Sequence, residues 1–589
     1  MDAITYLEPT KNILAVVYGK RGLSLLHLCP NSVSVLALQN SLLALGLLLA
    51  YHYPMHWIRW RLFQSVLSVC LWSMGVVNSL AYTPPFEGKY TQGCIVSYPG
   101  CYGVWAEKMK TLWGSELKVY EKLRPGIMVD STGTLYSMSM DAGHWFGGKA
   151  FYIHKVTTSG NLSYKSVEVD KKVGDNYSWP YDGMNSFSED DTFSKVAWVP
   201  LAPCMAQEAN GTTDYVCAIV YVQPTRWWNT SSGPDTEGFL FLKIKKSDFS
   251  VVTARLENGL DNSKANGFGD FTALTYNKNV FTAIYDVGTA KIYVYWLHKF
   301  GSGDANCTKL NFHMVTDQGG PLVTYICSYA EQKEAFKHCI EPRIMKVGNE
   351  YHFATSNGYY PWWIKADPST GDTTFADRNP YMDGYDANTS SASCCYHSDL
   401  NVIQHNGQTI ALQLVMSKTS RLNEAYARWN ASYISWNTSY VALTLYSWPA
   451  GYVWTGSRPI PPENCIAVFP VTSATSGYDI STTTLYKNTH MFVVHNDCII
   501  YAYCYPGKKT HLILGTARYK FDSGNNIHLL TKREFVDQNG NSFGNLTNCS
   551  RIIFMDVKNG YLWIVFASVD NRSFYYFCIP AQDVIDYAI

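Results

Sequence analysis

The chain has no run of Lys or Arg longer than two and no excess of either sign, with 47 basic against 47 acidic residues. That balance removes the basic footprint of a nucleic-acid surface. None of the fifteen histidines falls in an H-E-x-x-H helix motif, so a zinc hydrolase of that kind is excluded. The sixteen cysteines include no C-x-x-C, and Cys394-Cys395 reads as two structural half-cystines rather than a redox or metal pair. Charged residues are scarce at 16% while aromatics reach 15%, with 43 tyrosines. Such a composition suits pleated, half-buried surfaces better than exposed helices. At 589 residues the length fits one large all-β domain with added segments, or several smaller domains.

What is present begins with two apolar stretches, Val33 to Tyr53 and Leu62 to Ala81, each about the 20 residues that cross a bilayer. Residues 1 to 30 are weakly patterned and carry Lys11, Lys20 and Arg21, which hold the N-terminus inside. Two crossings would leave the remainder in the cytoplasm. Against that, all eleven N-x-S/T sequons lie beyond Tyr82: Asn161, Asn176, Asn210, Asn229, Asn306, Asn388, Asn430, Asn437, Asn545, Asn548 and Asn571. Fourteen of the sixteen cysteines lie there too, and their scatter reads as up to seven disulfides in an oxidising compartment. A single crossing with the large domain outside follows. Arg59 and Arg61 precede the second stretch and would be stranded outside if the first were the anchor, so 62–82 is expected to be the signal-anchor. The alternative is a signal peptide opening at Met55 and cleaved after Ser79-Leu80-Ala81.

Beyond Arg124 the pattern is one of strands and turns. In Glu341 to Trp363, EPRIMKVGNEYHFATSNGYYPWW, an alternating run reaches Gly348-Asn349 and returns, which predicts a hairpin. The aromatic cluster at Tyr359, Tyr360, Trp362 and Trp363 and the polar turn at Asp367 to Asp372 then predict two further strands. Similar clusters begin near Gly133, Ser194, Asp270, Arg343, Asp399, Thr482 and Arg551, a spacing of roughly 55 to 85 residues. The reading is an all-β fold, a β-propeller of six or seven blades, laid out as a tail over 1–61, an anchor over 62–82, a short stalk or spacer over 83–123, and a propeller head over 124–589. A stack of β-sandwich domains is the alternative.

Three stretches carry a resemblance: Glu341, Arg343, Ile344, Gly348, Phe353, Gly358, Trp362 and Trp363 in one blade; Met140 to Gly160, MDAGHWFGGKAFYIHKVTTSG; and Arg124 with the following PGIM. In patches covering about half of the head, they resemble the sialidase-like propeller of paramyxovirus attachment glycoproteins, the hemagglutinin-neuraminidases. The resemblance implies a type II glycoprotein of the virion envelope and host plasma membrane, homo-oligomeric, binding a host-cell receptor and acting with a viral fusion protein. No nucleic-acid partner and no cofactor are expected. The spacer of about 40 residues before Arg124 departs from that family's long helical stalk.

A sialidase holds the sugar carboxylate with three convergent arginines, since planar guanidinium forks match a carboxylate, and adds an acid and a nucleophilic Tyr activated by a Glu. Carried over residue by residue, the resemblance implies Arg124 as first arginine, Asp141 as acid, Glu341 as the glutamate, and Arg551 with Tyr561 as third arginine and nucleophile. The second arginine falls on Ser356. The family's sialic-acid signature falls on Asn176-Tyr177-Ser178-Trp179-Pro180-Tyr181 and keeps only its Asn. Both departures point to a receptor-binding member without sialidase activity. An active sialidase and a cellular secreted propeller with an adhesive role are the alternatives. Simpler roles stand beside each assignment: Arg124, Arg343 and Arg551 as strand starters paired with nearby carboxylates, and Asp141 as a turn cap. Asp383 to Asn388 offers oxygens for a structural Ca²⁺ but lacks a closing Glu.

Overall fold

Val347 pairs with Glu350 across Gly348-Asn349, and Arg343 pairs with Ala354 further along the same ladder, so the hairpin expected at the centre of the sequence is formed. Its chemistry recurs. Asn406-Gly407, Asn496-Asp497 and Asn559-Gly560 all have positive φ at both residues, the backbone of a two-residue turn whose twist matches the flanking strands.

The structure, a computed structural model, describes residues 4–7, 13–19, 22–28, 86, 88–97, 125–140, 151–167, 198–224, 238–258, 281–299, 308–317, 321–328, 340–356, 361–366, 373–375, 395–418, 441–449, 465–472, 490–505, 511–535, 549–568 and 573–587. They fall into two compact units, Met1–Pro84 and Pro85–Ile589. The first holds an antiparallel sheet of β1 (Ile4–Leu7), β2 (Ile13–Gly19) and β3 (Gly22–Leu28). These strands lie in the weakly patterned first thirty residues, where Ile13, Val16 and Val17 supply β-branched side chains suited to a strand. The apolar stretches at 33–53 and 62–82, and the cleavage site at 79–81, lie outside the described residues. Among the described residues no helix is long and apolar enough to cross a membrane.

The second unit opens with β4 (Thr91–Ser97). Blade 1 is β5 (Gly126–Val129), β6 (Leu135–Met140), β7 (Phe151–Val156) and β8 (Leu162–Val167). Blade 2 is β9 (Trp198–Met205), β11 (Tyr215–Pro224), β12 (Gly238–Lys245) and β13 (Val251–Asn258), while β10 (Gln207–Ala209) leaves it to pair in parallel with the first strand of the next blade. Blade 3 continues with β14 (Phe281–Asp286), β15 (Lys291–Lys299), β16 (Thr308–Thr316) and β17 (Pro321–Ser328). Blade 4 is β18 (Ile340–Val347), β19 (Glu350–Ser356), β20 (Pro361–Ala366) and β21 (Thr373–Phe375). Blade 5 is β22 (Cys395–His405), β23 (Gln408–Lys418), β24 (Val441–Pro449) and β25 (Cys465–Thr472). Blade 6 is β26 (His490–His495), β27 (Cys498–Tyr505), β28 (His511–Phe521) and β29 (Ile527–Glu534). Blade 7 is β30 (Cys549–Lys558), β31 (Tyr561–Ser568) and β32 (Ser573–Pro580), followed by the six-residue helix α1 (Ala581–Asp586).

In each blade the consecutive strands run in chain order from an inner strand outward, β10 and β4 being the added strands. The inner strands β5, β9, β14, β18, β22, β26 and β30 touch in sequence, and β30 returns to β5. A closed ring of meandering sheets is a β-propeller, and the described residues form seven blades. The seventh is completed by β4, which pairs with β32, Tyr576 opposite Gly93. Residues 91–97 of the stretch expected to be a stalk or spacer thus form the outer strand of blade 7: joining the ring's ends takes a strand from the N-terminal side of the chain.

Blades stacked face to face bury both sides of their central strands, so those strands read as unbroken apolar runs. Tyr561–Ser568 is buried at every position after its first. In β27, Ile499, Tyr501 and Tyr503 enter the core shared with blade 5, whereas Cys498, Ile500 and Ala502 enter the core shared with blade 7. The period of two splits one strand between two cores. Tyr501 lies directly over Gly515 on the neighbouring strand, a space any Cβ would occupy.

Cysteines follow the same rule. Cys94, Cys217, Cys498 and Cys578 are free thiols, so the expected maximum of seven disulfides is corrected; Cys549 is disulfide-bonded. Cys217 sits in the apolar run YVCAIVYV as a small hydrophobe. Burial pushes its thiol up, and pushes that of Cys578 up to about 12.

Candidate functional site at the propeller axis

The inner strands enclose a cavity of about 650 Å³ that runs along the axis and is lined from all seven blades. Three ionic nodes border it, each tying together blades that are distant in sequence.

Arg343 follows a bulge in β18. Its Nη1 donates to both carboxylate oxygens of Asp399, at 2.9 and 2.8 Å, and to Phe492 O at 3.3 Å, while Nη2 donates to Met555 O at 3.3 Å. Asp399 also accepts the Phe492 backbone N–H at 2.9 Å. One guanidinium thus clasps blades 4, 5, 6 and 7, a use of planar, multiple donors that Lys could not reproduce.

Asp286, at the end of β14, accepts from Tyr351 Oη at 2.7 Å, Asn210 Nδ2 at 2.9 Å and Lys346 Nζ at 3.2 Å. Burial alone would push this carboxyl up, but the bonds from Tyr351 and Lys346, with the ammonium charge, hold it below its ordinary range. Tyr351 is pushed up by burial first and by its bond to Asp286 second, and its ring stacks on Tyr293 at 4.1 Å.

Lys246 bridges blades 1 and 2 through Asp130 Oδ2 at 2.9 Å and Glu208 Oε1 at 2.6 Å. Burial raises the Glu208 carboxyl, opposed by Lys246. Asp130 also caps the β5–β6 turn, accepting from the backbone N–H groups of Thr132 and Thr134, both at 3.0 Å.

Among the described residues lining the cavity, Arg343 is the sole arginine, and both it and Lys346 are neutralised by a buried carboxylate. Lys558, at the rim, lies 3.7 Å from Asp556. Among the described residues the lining has no guanidinium fork left without a carboxylate.

Of the residues carried over from the resemblance, Glu341, Arg551 and Tyr561 are described. Arg124 and Asp141 lie outside the described residues. Glu341 falls in the irregular start of β18, beside Ile340, which pairs with Ser356. Arg551 pairs with Ala567 near one end of the β30–β31 hairpin, whereas Tyr561 pairs with Lys558 at the other, about 20 Å of strand away. A hairpin ladder does not bring Arg551 and Tyr561 together as arginine and nucleophile. Arg343, read as a strand starter paired with a carboxylate, has that role, with Asp399 as its partner.

Of the sequons, Asn161 and Asn210 are described and both are exposed; the other nine lie outside the described residues. So do Asp383 to Asn388, and among the described residues no cluster of His, Cys, Asp or Glu could hold a metal ion. Trp362 and Trp363 lie in β20. Sequence reading missed Asp286, Glu208 and Lys246. The only local signal is an acid or base within or just beyond an apolar run, as at Phe281–Asp286.

No family model matches the chain, and no curated protein matches it. Among solved structures it is similar to the NanB sialidase of Streptococcus pneumoniae, with 9% identity and a TM-score of 0.32 over 80% of this chain and 70% of that one. It is also similar to a GH43 β-xylosidase/α-arabinofuranosidase from a compost metagenome, with 11% identity and a TM-score of 0.25 over 51% of this chain and 88% of that one. A xylan β-1,4-xylosidase from Bacillus halodurans gives 8% identity and a TM-score of 0.27 over 78% and 95%. The propeller assignment rests on the sheet order and not on these likenesses.

Proposed function

We propose that the chain is the receptor-binding attachment glycoprotein of an enveloped virus, a propeller head on an N-terminal anchor that binds a host-cell receptor and releases no sialic acid. The observation that carries the second half is the state of Arg343. Its guanidinium is committed to Asp399 and to two backbone carbonyls, so a sugar carboxylate would have to displace a partner held by charge-assisted bonds of about 1.5 to 3 kcal/mol each. Ser356 in the second-arginine position and the separation of Arg551 from Tyr561 favour the same reading. The first half rests on the sequence resemblance, the sequons beyond Tyr82 and the apolar stretch at 62–82.

Two measurements on the purified chain test it. Sialyl-lactose is incubated with the protein and free sialic acid is measured; turnover that disappears with Asp141→Ala would restore the enzyme. Binding to cells is compared before and after the cells are treated with a sialidase. Binding that survives treatment points to a protein or unsialylated receptor, binding that is lost points to a sialylated one, and no binding to any cell type sinks the attachment reading.

A further inference from the structure

We propose that the axial cavity is a binding site for an uncharged, hydroxyl-rich ligand of mono- to disaccharide size, independent of receptor attachment. Its volume of about 650 Å³ lies within the roughly 300 to 1,000 Å³ of small-molecule sites.

The charges decide the class of ligand. Arg343 is neutralised by Asp399 at 2.8 Å and Lys346 by Asp286 at 3.2 Å. An anion entering beside Lys346 meets the Asp286 carboxylate behind it, and a cation meets Arg343, Lys346 and Lys558 together with the carboxylates of Glu208, Asp399 and Asp556, each already paired with a cationic side chain. Either would shed its hydration for a lining whose charges are already compensated. A hydroxyl meets no such penalty, because each one donates and accepts at once.

The groups it needs are in the lining. Asn401 commits its Nδ2 to Phe492 O at 2.8 Å, and its amide oxygen accepts nothing from the described residues. Lys346 donates once to a carboxylate and carries two further N–H groups. At the rim, Lys558 and Asp556 stand 3.7 Å apart, a loose pair that a bridging hydroxyl can enter. Phe554 lines the same cavity and offers an apolar face for the C–H side of a sugar ring.

The test uses the purified full chain, freed of its own N-glycans so that they do not compete. Lactose, maltose and N-acetylglucosamine serve as neutral probes, and N-acetylneuraminic acid and glucosamine as charged comparators, read by saturation-transfer NMR and titration calorimetry. At least one neutral sugar is expected to bind, and to bind at least tenfold more tightly than either charged probe. Met345→Trp, which fills the cavity from β18, is expected to weaken that binding at least tenfold with circular dichroism and Tm unchanged. Should it misfold, Lys558→Gln at the rim is expected to weaken binding severalfold. The proposal is overturned if no neutral sugar binds, if a charged probe binds as tightly, or if the folded variant leaves affinity unchanged.

Discussion

The indole Nε1 of Trp563 donates to the backbone oxygen of Gly133 at 3.0 Å, joining the last blade of the ring to the first. Around it Asn559 Nδ2 reaches Thr132 O at 2.9 Å, Tyr576 Oη reaches Gly160 O at 3.2 Å and Thr91 Oγ1 reaches Thr158 O at 3.2 Å. This is the seam at which the propeller closes, and Trp563 is fully buried in it. Trp563→Phe is expected to cost about 1 to 3 kcal/mol, because Gly133 O is left buried without its donor. Trp563→Ala adds a cavity and should cost about 3 to 5 kcal/mol. Urea midpoints check both; a Phe variant as stable as wild type would show that the seam does not depend on this bond.

Much of the propeller was legible because its signals are local. Asn406-Gly407 and Asn559-Gly560 are turn dipeptides with one backbone solution, and the cluster starts read near Arg343, Asp399 and Arg551 fall within β18, β22 and β30. What was not legible is pairing at a distance. TQGCIVS at Thr91 is an ordinary strand sequence, and nothing in it says that its partner is Ser573–Pro580. The ionic nodes share that property: Arg343 and Asp399 are 56 positions apart, and Lys246 and Asp130 are 116 apart. The carried-over site was legible only as a motif, and a motif places residues in a sequence without saying which end of a hairpin they occupy, as Arg551 opposite Ala567 and Tyr561 opposite Lys558 illustrate.

The clasp at the axis gives a prediction about Arg343. Removing either partner leaves a charge in the channel wall, so Asp399→Asn and Arg343→Ala are each expected to destabilise the fold by about 3 kcal/mol or more. Arg343→Lys should not rescue it, since one ammonium cannot serve a carboxylate and two carbonyls on other blades. Thermal unfolding of the three variants is the check, and a Lys variant with wild-type Tm would remove the clasp from the account.

The position of β4 sets the N-terminal boundary of the head. A fragment starting at Pro85 keeps β4, the ion pair of Lys89 with Asp583 at 3.0 Å and the contacts of Phe86 with Phe535 and Tyr587. A fragment starting at Arg124 loses all of them and leaves the outer edge of β32 unpaired. The longer fragment is expected to be soluble and monodisperse, and the shorter one to aggregate or to exchange the amides of β32 rapidly. Equal stability of the two would return residues 83–123 to the role of a spacer.

The distribution of sequons gives a prediction about topology. With none before Tyr82 and eleven beyond it, glycosidase treatment of the full-length protein is expected to lower its apparent mass. A protease added outside intact cells should leave a protected N-terminal fragment of about 60 to 80 residues, the tail plus roughly one membrane span. An unshifted band sinks this topology.

Two buried histidines set the acid limit of the fold. His154 lies in blade 1 with Nε2 at 2.9 Å from Ser139 Oγ and its Nδ1 without a partner, and burial lowers its pKa from 6.5 to about 4. His490, bonded to Leu414 O at 2.9 Å, is also lowered to about 4 by burial, against the smaller opposing effects of that carbonyl and of Asp399. Between pH 6.5 and 4 the unfolded chain therefore binds protons that the folded chain refuses, and stability must fall as pH falls through that window. Each histidine can account for at most about 3 kcal/mol of the loss, which saturates below pH 4, where both states are protonated. The unfolding free energy from urea titrations is thus expected to be level with respect to these groups above pH 7 and to drop steadily between pH 6.5 and 4. His154→Gln cannot take up a proton there and should flatten part of that slope while lowering stability at pH 7 only modestly. A slope unchanged by His154→Gln would mean that this histidine is reached by solvent in the folded head and that acid sensitivity arises elsewhere.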